Sequence, residues 1–128
     1  MFEQDYIMRL IHEMVRTVMK LVFGLDEEDE EEVKLLDTLA ADEGGKLNEL
    51  LDLADAGKIN EAENQLYDIL DKNDANTLKM ALLFYNHINE YDGEFLDKAD
   101  YSRDEIRDGI CNVLEQFGYG GMTGLFMQ

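Results

Sequence analysis

The whole formal charge of -19 lies after Gly24. The first 24 residues, MFEQDYIMRLIHEMVRTVMKLVFG, set Glu3, Asp5 and Glu13 against Arg9, Arg16 and Lys20. Within them Asp5, Arg9, His12, Glu13, Arg16, Thr17 and Lys20 recur three or four apart, the spacing of one narrow helical stripe. Ile7, Met8, Leu10, Ile11, Met14, Val15, Val18, Met19, Leu21, Val22 and Phe23 cover the remaining circumference. That face is wider than the roughly 100° stripe of a surface helix, so the segment requires contacts on more than one side. The pairs Asp5/Arg9, Arg9/Glu13 and Glu13/Arg16 zip its polar stripe, each worth about 0.2–0.5 kcal/mol.

At 128 residues the chain is the size of one domain with a single core. Its 45% apolar and 32% charged residues are a globular composition. Proline is absent, while Leu, Glu, Asp, Lys and Met abound, which favours helices because straight side chains lose little rotamer freedom there. The expected class is all-α: a small helical-hairpin array behind a long amphipathic N-terminal helix. A pI near 4.1 argues against nucleic acid, whose binders replace phosphate counterions with Lys and Arg. The opening stretch is interrupted by charge at every turn, so it does not span a membrane. Acids also precede its first base, unlike a secretory signal. The single cysteine, Cys111, cannot close an internal disulfide. These features indicate a cytoplasmic protein with no nucleic-acid or membrane partner.

Along the chain, residues 1–24 form the amphipathic helix and residues 25–45 an acidic connector with a second helix. Seven consecutive acids, residues 26–32, precede Val33, Leu36, Leu39 and Ala40. Acids suit the positive end of a helix dipole, and the run reads as a solvated first turn or, functionally, as a dock for a basic partner or a divalent cation. After Gly44 and Gly45 comes a helical-hairpin body, residues 46–118. KLNELLDLADAG and KINEAENQLYDILDK are short amphipathic segments joined at Gly57, antiparallel neighbours by the shortness of the link. NDANTLKMALLFYNHINEY is apolar on two sides and marks a central helix. In YSRDEIRDGICNVLEQFG, Ser102 stands three before Glu105, the capping-box spacing, and Gly118 is placed to end the helix. Residues 119–128 read as a flexible tail.

The stretch LADAGKINEAENQLYDIL resembles the middle of a tetratricopeptide repeat. Gly57 matches the turn glycine, Ile59 the large apolar residue after it, Ala62 the small residue where the helices touch, and Leu66 the bulky position one turn on. The signature tryptophan, the small residue of the first helix and the terminating proline are missing, and residues 77–117 do not register with the motif. The resemblance therefore implies a repeat-like helical fold without a peptide-binding superhelix, which needs about three units. From EQDYIMRLIHEMVR to YSRDEIRDGICNVLEQFG the chain also resembles a family of short uncharacterised proteins of Gram-positive anaerobes, a domain of unknown function. That resemblance implies a bacterial cytoplasmic protein and carries over no catalytic residue.

Chemistry-bearing motifs are incomplete. HEMVR begins like a zinc-protease helix, but Arg16 stands where the second histidine belongs. Phe84 occupies the glutamate position of a Glu-x-x-His pair with His87. DKNDANTLKMAL lacks the glycine and the closing glutamate of a calcium loop and reads as a helix start. Ser102, the one serine, is accounted for as a cap, and GYGGMTG has neither phosphate-loop spacing nor its lysine. No metal or cofactor is expected, and no enzyme. The chain reads instead as a protein–protein interaction or self-associating module. Its partner face is Ile7, Met8, Ile11, Met14, Val15, Val18, Met19 and Val22, with methionines supplying adaptable packing. The alternatives are that this face packs into its own protomer, or that a small-ligand or enzyme pocket gathers Tyr85, His87, Tyr91 and Cys111 between helices.

Overall fold

The computed structural model describes the backbone of residues 2–24 and 41–125 and the side chains of 5–24 and 45–122. The described residues are helical and contain no strand. In order they form α1 (Phe2–Phe23), α2 (Ala41–Asp55), α3 (Ile59–Ile69), α4 (Ala75–Ile88), α5 (Gly93–Lys98), α6 (Arg103–Gln116) and a 3-10 helix (Gly120–Leu125). The acidic run 26–32 and the apolar positions that follow it lie outside the described residues.

Local signals set most of these boundaries. Asp74 accepts the Asn76 N–H at 3.0 Å and opens α4, and Asp92 accepts the Phe95 N–H at 2.8 Å and opens α5. The capping box closes as its spacing predicts: Ser102 Oγ accepts the Glu105 N–H at 3.2 Å, and the Glu105 carboxylate accepts the Ser102 N–H at 2.8 Å. Between α2 and α3 the chain reverses through a Schellman turn. Gly57, at φ +88°, donates to Ala54 O at 2.9 Å, and Lys58 donates to Leu53 O at 3.0 Å. The same pair of bonds ends α5, but there the left-handed residue is Asp100, at φ +58°. A short polar side chain tolerates that region better than most, and the Asp100 carbonyl is further held by the Asn60 amide at 3.2 Å.

Helix α2, described from Ala41, runs through Gly44 and Gly45, where the sequence suggests a break. Each helical glycine costs about 1 kcal/mol relative to alanine. The two are outweighed by the burial of Leu47, Leu50 and Ala54 further along. At the other end of the chain, where a flexible tail is expected from Tyr119, a 3-10 helix packs on α6 and sets Met122 against the edge of the core.

Helix α4 is the centre, as its two-sided apolar pattern requires. Every side chain from Thr77 to Tyr85 is buried, and α1, α2 and α6 all pack against it. Helix α1 also lies on α6, and α2 on α3, where Ile59, Ala62 and Leu66 are fully buried. Even Lys79 is buried, its ammonium lying 4.8 Å from the centre of the Phe23 ring at the end of α1. No described helix is long and apolar enough to cross a membrane.

Candidate functional site

Of the eight side chains expected to form a partner face, Ile11, Met14, Val15, Val18 and Met19 are buried in the core that α1 shares with α4 and α6. Ile7 and Val22 are half-buried against that core, and Met8 is half-buried. The inner face of α1 therefore packs within its own protomer, the alternative raised by the sequence. The apolar circumference is wider than this core can cover. At about 100° per residue, Tyr6, Leu10, Thr17 and Leu21 fall within about 60° of one another, on the outward edge. Tyr6 is 59% and Leu21 63% exposed, and Leu10 between them is half-buried against the core.

Three of the four residues considered for an inter-helical pocket fall into two clusters, and Cys111 belongs to neither. At the rim, the Asp55 carboxylate at the end of α2 accepts a short hydrogen bond from Tyr91 Oη and binds His87 Nε2 at 2.9 Å. His87 stands edge-on to Tyr91, and Tyr91 lies against Phe95 with ring centres 4.4 Å apart. Burial acts to raise the Asp55 pKa, but the hydrogen bonds from Tyr91 and His87, with the charge of His87, hold it below the usual aspartate value. The Tyr91 phenol is pushed up by burial and by its bond to that carboxylate.

Deeper in, Glu63 on α3 accepts hydrogen bonds from Tyr85 at 2.6 Å and Tyr101 at 3.0 Å, and Tyr67 Oη lies 3.3 Å from Tyr85 Oη. Tyr85 and Tyr101 are buried. Burial first, and then the Glu63 charge, push both phenols far above their ordinary range, so they remain neutral donors. The ring of Tyr85 fits because residue 109 has no side chain: a Cβ on Gly109 would stand 2.6 Å from Tyr85 Cζ and closer still to its hydroxyl. This arrangement ties α3 to α4 and to the entry of α6.

A third joint is built on Arg103, only 5% exposed at the start of α6. Its Nη1 donates to Asn89 O at 2.6 Å and to Asn89 Oδ1 at 3.2 Å, and its Nη2 donates to Tyr91 O at 2.6 Å. Asn89 in turn donates to Met8 O at 3.0 Å, so the end of α4 clips α1 and α6 together. A shallow depression lies above this joint, lined by Asp5, Met8, Glu90, Tyr91, Asp92, Gly93 and Arg103. Cys111 stands apart from all three clusters, half-buried at the core's edge. Burial, with Asp108 and Glu115, raises its pKa against the opposing charge of Arg107, which keeps it a thiol and a weak nucleophile. Among the described residues no three His, Cys, Asp or Glu side chains are grouped as a metal would need.

Asp55, Glu63, Asn89 and Arg103 carry these joints, and none stands out in the sequence, where acids are everywhere. Gly109 alone left a signal, as a glycine inside a helix marks close approach. No curated protein and no solved structure matches the chain. A model of a family of unknown function, DUF6483, matches residues 1–118, and the chain belongs to that family.

Proposed function

We propose that this protein is an interaction module that engages another protein through the outward edge of α1, and that it acts by binding rather than by catalysis. The observation that carries the reading is the row Tyr6, Leu10, Leu21. The two large apolar side chains most exposed among the described residues both lie on it, along a helix whose charges cancel. Isolated exposed apolar residues are ordinary, but alignment on one helix face is the pattern by which helices are recognised. We read the body behind it as repeat-like, with the α2–α3 hairpin in the tetratricopeptide manner, and the protein as bacterial and cytoplasmic. The run 26–32 is a second contact in this reading, suited to a basic surface.

The test is a photo-reactive side chain placed at position 6 or 21 in the producing cell, with exposed Asp52 on α2 as control. Protein cross-links at 6 and 21 that exceed those at 52 are expected; equal yields at all three would overturn the reading.

A second reading, a small-ligand site or an enzyme's, is favoured by the Asp55–His87–Tyr91 cluster, the one place where two of the four residues considered for a pocket meet. It predicts that some metal, nucleotide or metabolite raises the thermal transition and that His87→Gln abolishes the shift. A ligand screen without such a shift removes it.

A further inference from the structure

We infer that the occupant of the outward edge of α1 is a second copy of this chain, lying antiparallel so that Tyr6 of one protomer meets Leu21 of the other. This rests on the reading of that edge as an interaction surface and adds the identity and orientation of the partner. Charge carries the argument. Two copies of a chain with formal charge -19 repel one another over most of their surface. The solvent-facing helices α2, α3, α5 and α6 each hold more acids than bases. Helix α1 holds three of each, so it is the place where two copies approach at least electrostatic cost, and it carries the two most exposed large apolar side chains among the described residues.

The orientation follows from the same charges. A parallel pair sets Glu13 opposite Glu13 and Arg9 opposite Arg9. It also starts both acidic runs, which follow Gly24 by two residues, at the same end of the pair. An antiparallel pair sends the two Gly24 residues, after which the runs begin, to opposite ends, roughly 30 Å apart at about 1.5 Å per residue. It also crosses Tyr6 with Leu21, whose separation along α1 sets the register. The contact is isologous and closes at two copies.

The experiment is solution mass by light scattering on the full chain over a range of concentrations and salt. A concentration-dependent dimer is expected, and it should strengthen as salt screens the repulsion between like-charged copies. Leu21→Glu should weaken it by at least about tenfold while leaving the helical circular dichroism unchanged, because Leu21 contributes little to the core. Orientation is read by mild oxidation in a Cys111→Ala background. Tyr6→Cys with Leu21→Cys should give a covalent dimer far faster than either substitution alone. Rapid dimers from the single substitutions would overturn the antiparallel arrangement. A monomer at every concentration would overturn self-association. If the cellular cross-links at positions 6 and 21 then identify a different protein, the interaction reading survives without it, and if those cross-links are absent as well, both fail.

Discussion

Glu63 and Asp55 each gather two aromatic hydrogen-bond donors, Glu63 between helices and Asp55 at the rim. Glu63 binds Tyr85 and Tyr101, both buried, whereas the Asp55 side chain is 54% exposed and its partner His87 29%. The chemistry is nearly the same and the consequence is not. A hydrogen bond to a charged group inside a protein is expensive to leave unmade, whereas at the surface water replaces whatever is lost. Glu63 is therefore a structural fastening among α3, α4 and α6, and Asp55 a surface arrangement that can be altered with little damage to the fold.

Gly109→Ala is expected to have the largest effect. The added Cβ cannot coexist with the Tyr85 ring, so the phenol must leave Glu63 and Tyr67 as well as shift within the core. Overpacking combined with a lost buried hydrogen bond is expected to cost about 2–4 kcal/mol. Urea unfolding of the full chain measures it, and a loss no larger than that of a change at Asp55 would remove the distinction between the two sites.

Tyr85→Phe keeps the ring and removes only the hydroxyl. Glu63 is then left with Tyr101 alone, and the loss should be about 1–2 kcal/mol. The same network has a signature at high pH. Tyr85 and Tyr101 are pushed above the ordinary phenol value of 10.0 by burial and by Glu63. A phenol whose folded pKa is raised binds its proton more tightly in the native state than in the unfolded one. Its contribution is complete below pH 10 and declines as pH rises past it. Unfolding monitored against pH should show stability falling above pH 10, less steeply in Tyr85→Phe. Equal slopes would mean that the phenol does not contribute.

The difference between the sites also explains what could be foreseen. Periodicity marked α1, α3, α4 and α6, and Ser102 with Glu105 marked a cap, because these are local patterns that depend on neighbours in sequence. The course of α2 through Gly44 and Gly45 was obscured, since the burial that overrides the glycines comes from Leu47 and Leu50 packing in three dimensions. The polar joints are further out of reach. Glu63 meets Tyr85 across 22 positions and Asp55 meets Tyr91 across 36, and in a chain with 30 acids nothing distinguishes these two carboxylates from the rest. The over-wide apolar face of α1 was visible at once. That its inner arc would be consumed by α4 and α6, leaving Tyr6 and Leu21 outward, depends on how many neighbours the folded chain can bring to it.

The smallest effect is expected at Asp55. Asp55→Asn retains an oxygen to accept from Tyr91 and removes the charge that faces His87. Because the side chain is half in solvent, the loss at neutral pH should be a few tenths of a kcal/mol. Its dependence on pH separates it from the Glu63 network. The Asp55 carboxyl titrates below its ordinary value of 3.8 because the bonds from Tyr91 and His87 outweigh the effect of burial. A group with a depressed folded pKa contributes stability that is present above its unfolded value and is lost as pH falls through the folded one. The gap between the native chain and Asp55→Asn should therefore persist from neutrality down to about pH 5, narrow below pH 4, and close in stronger acid. A gap that stays constant across that range would mean that Asp55 acts through shape alone, and the rim cluster would then differ from the buried one in kind as well as in degree.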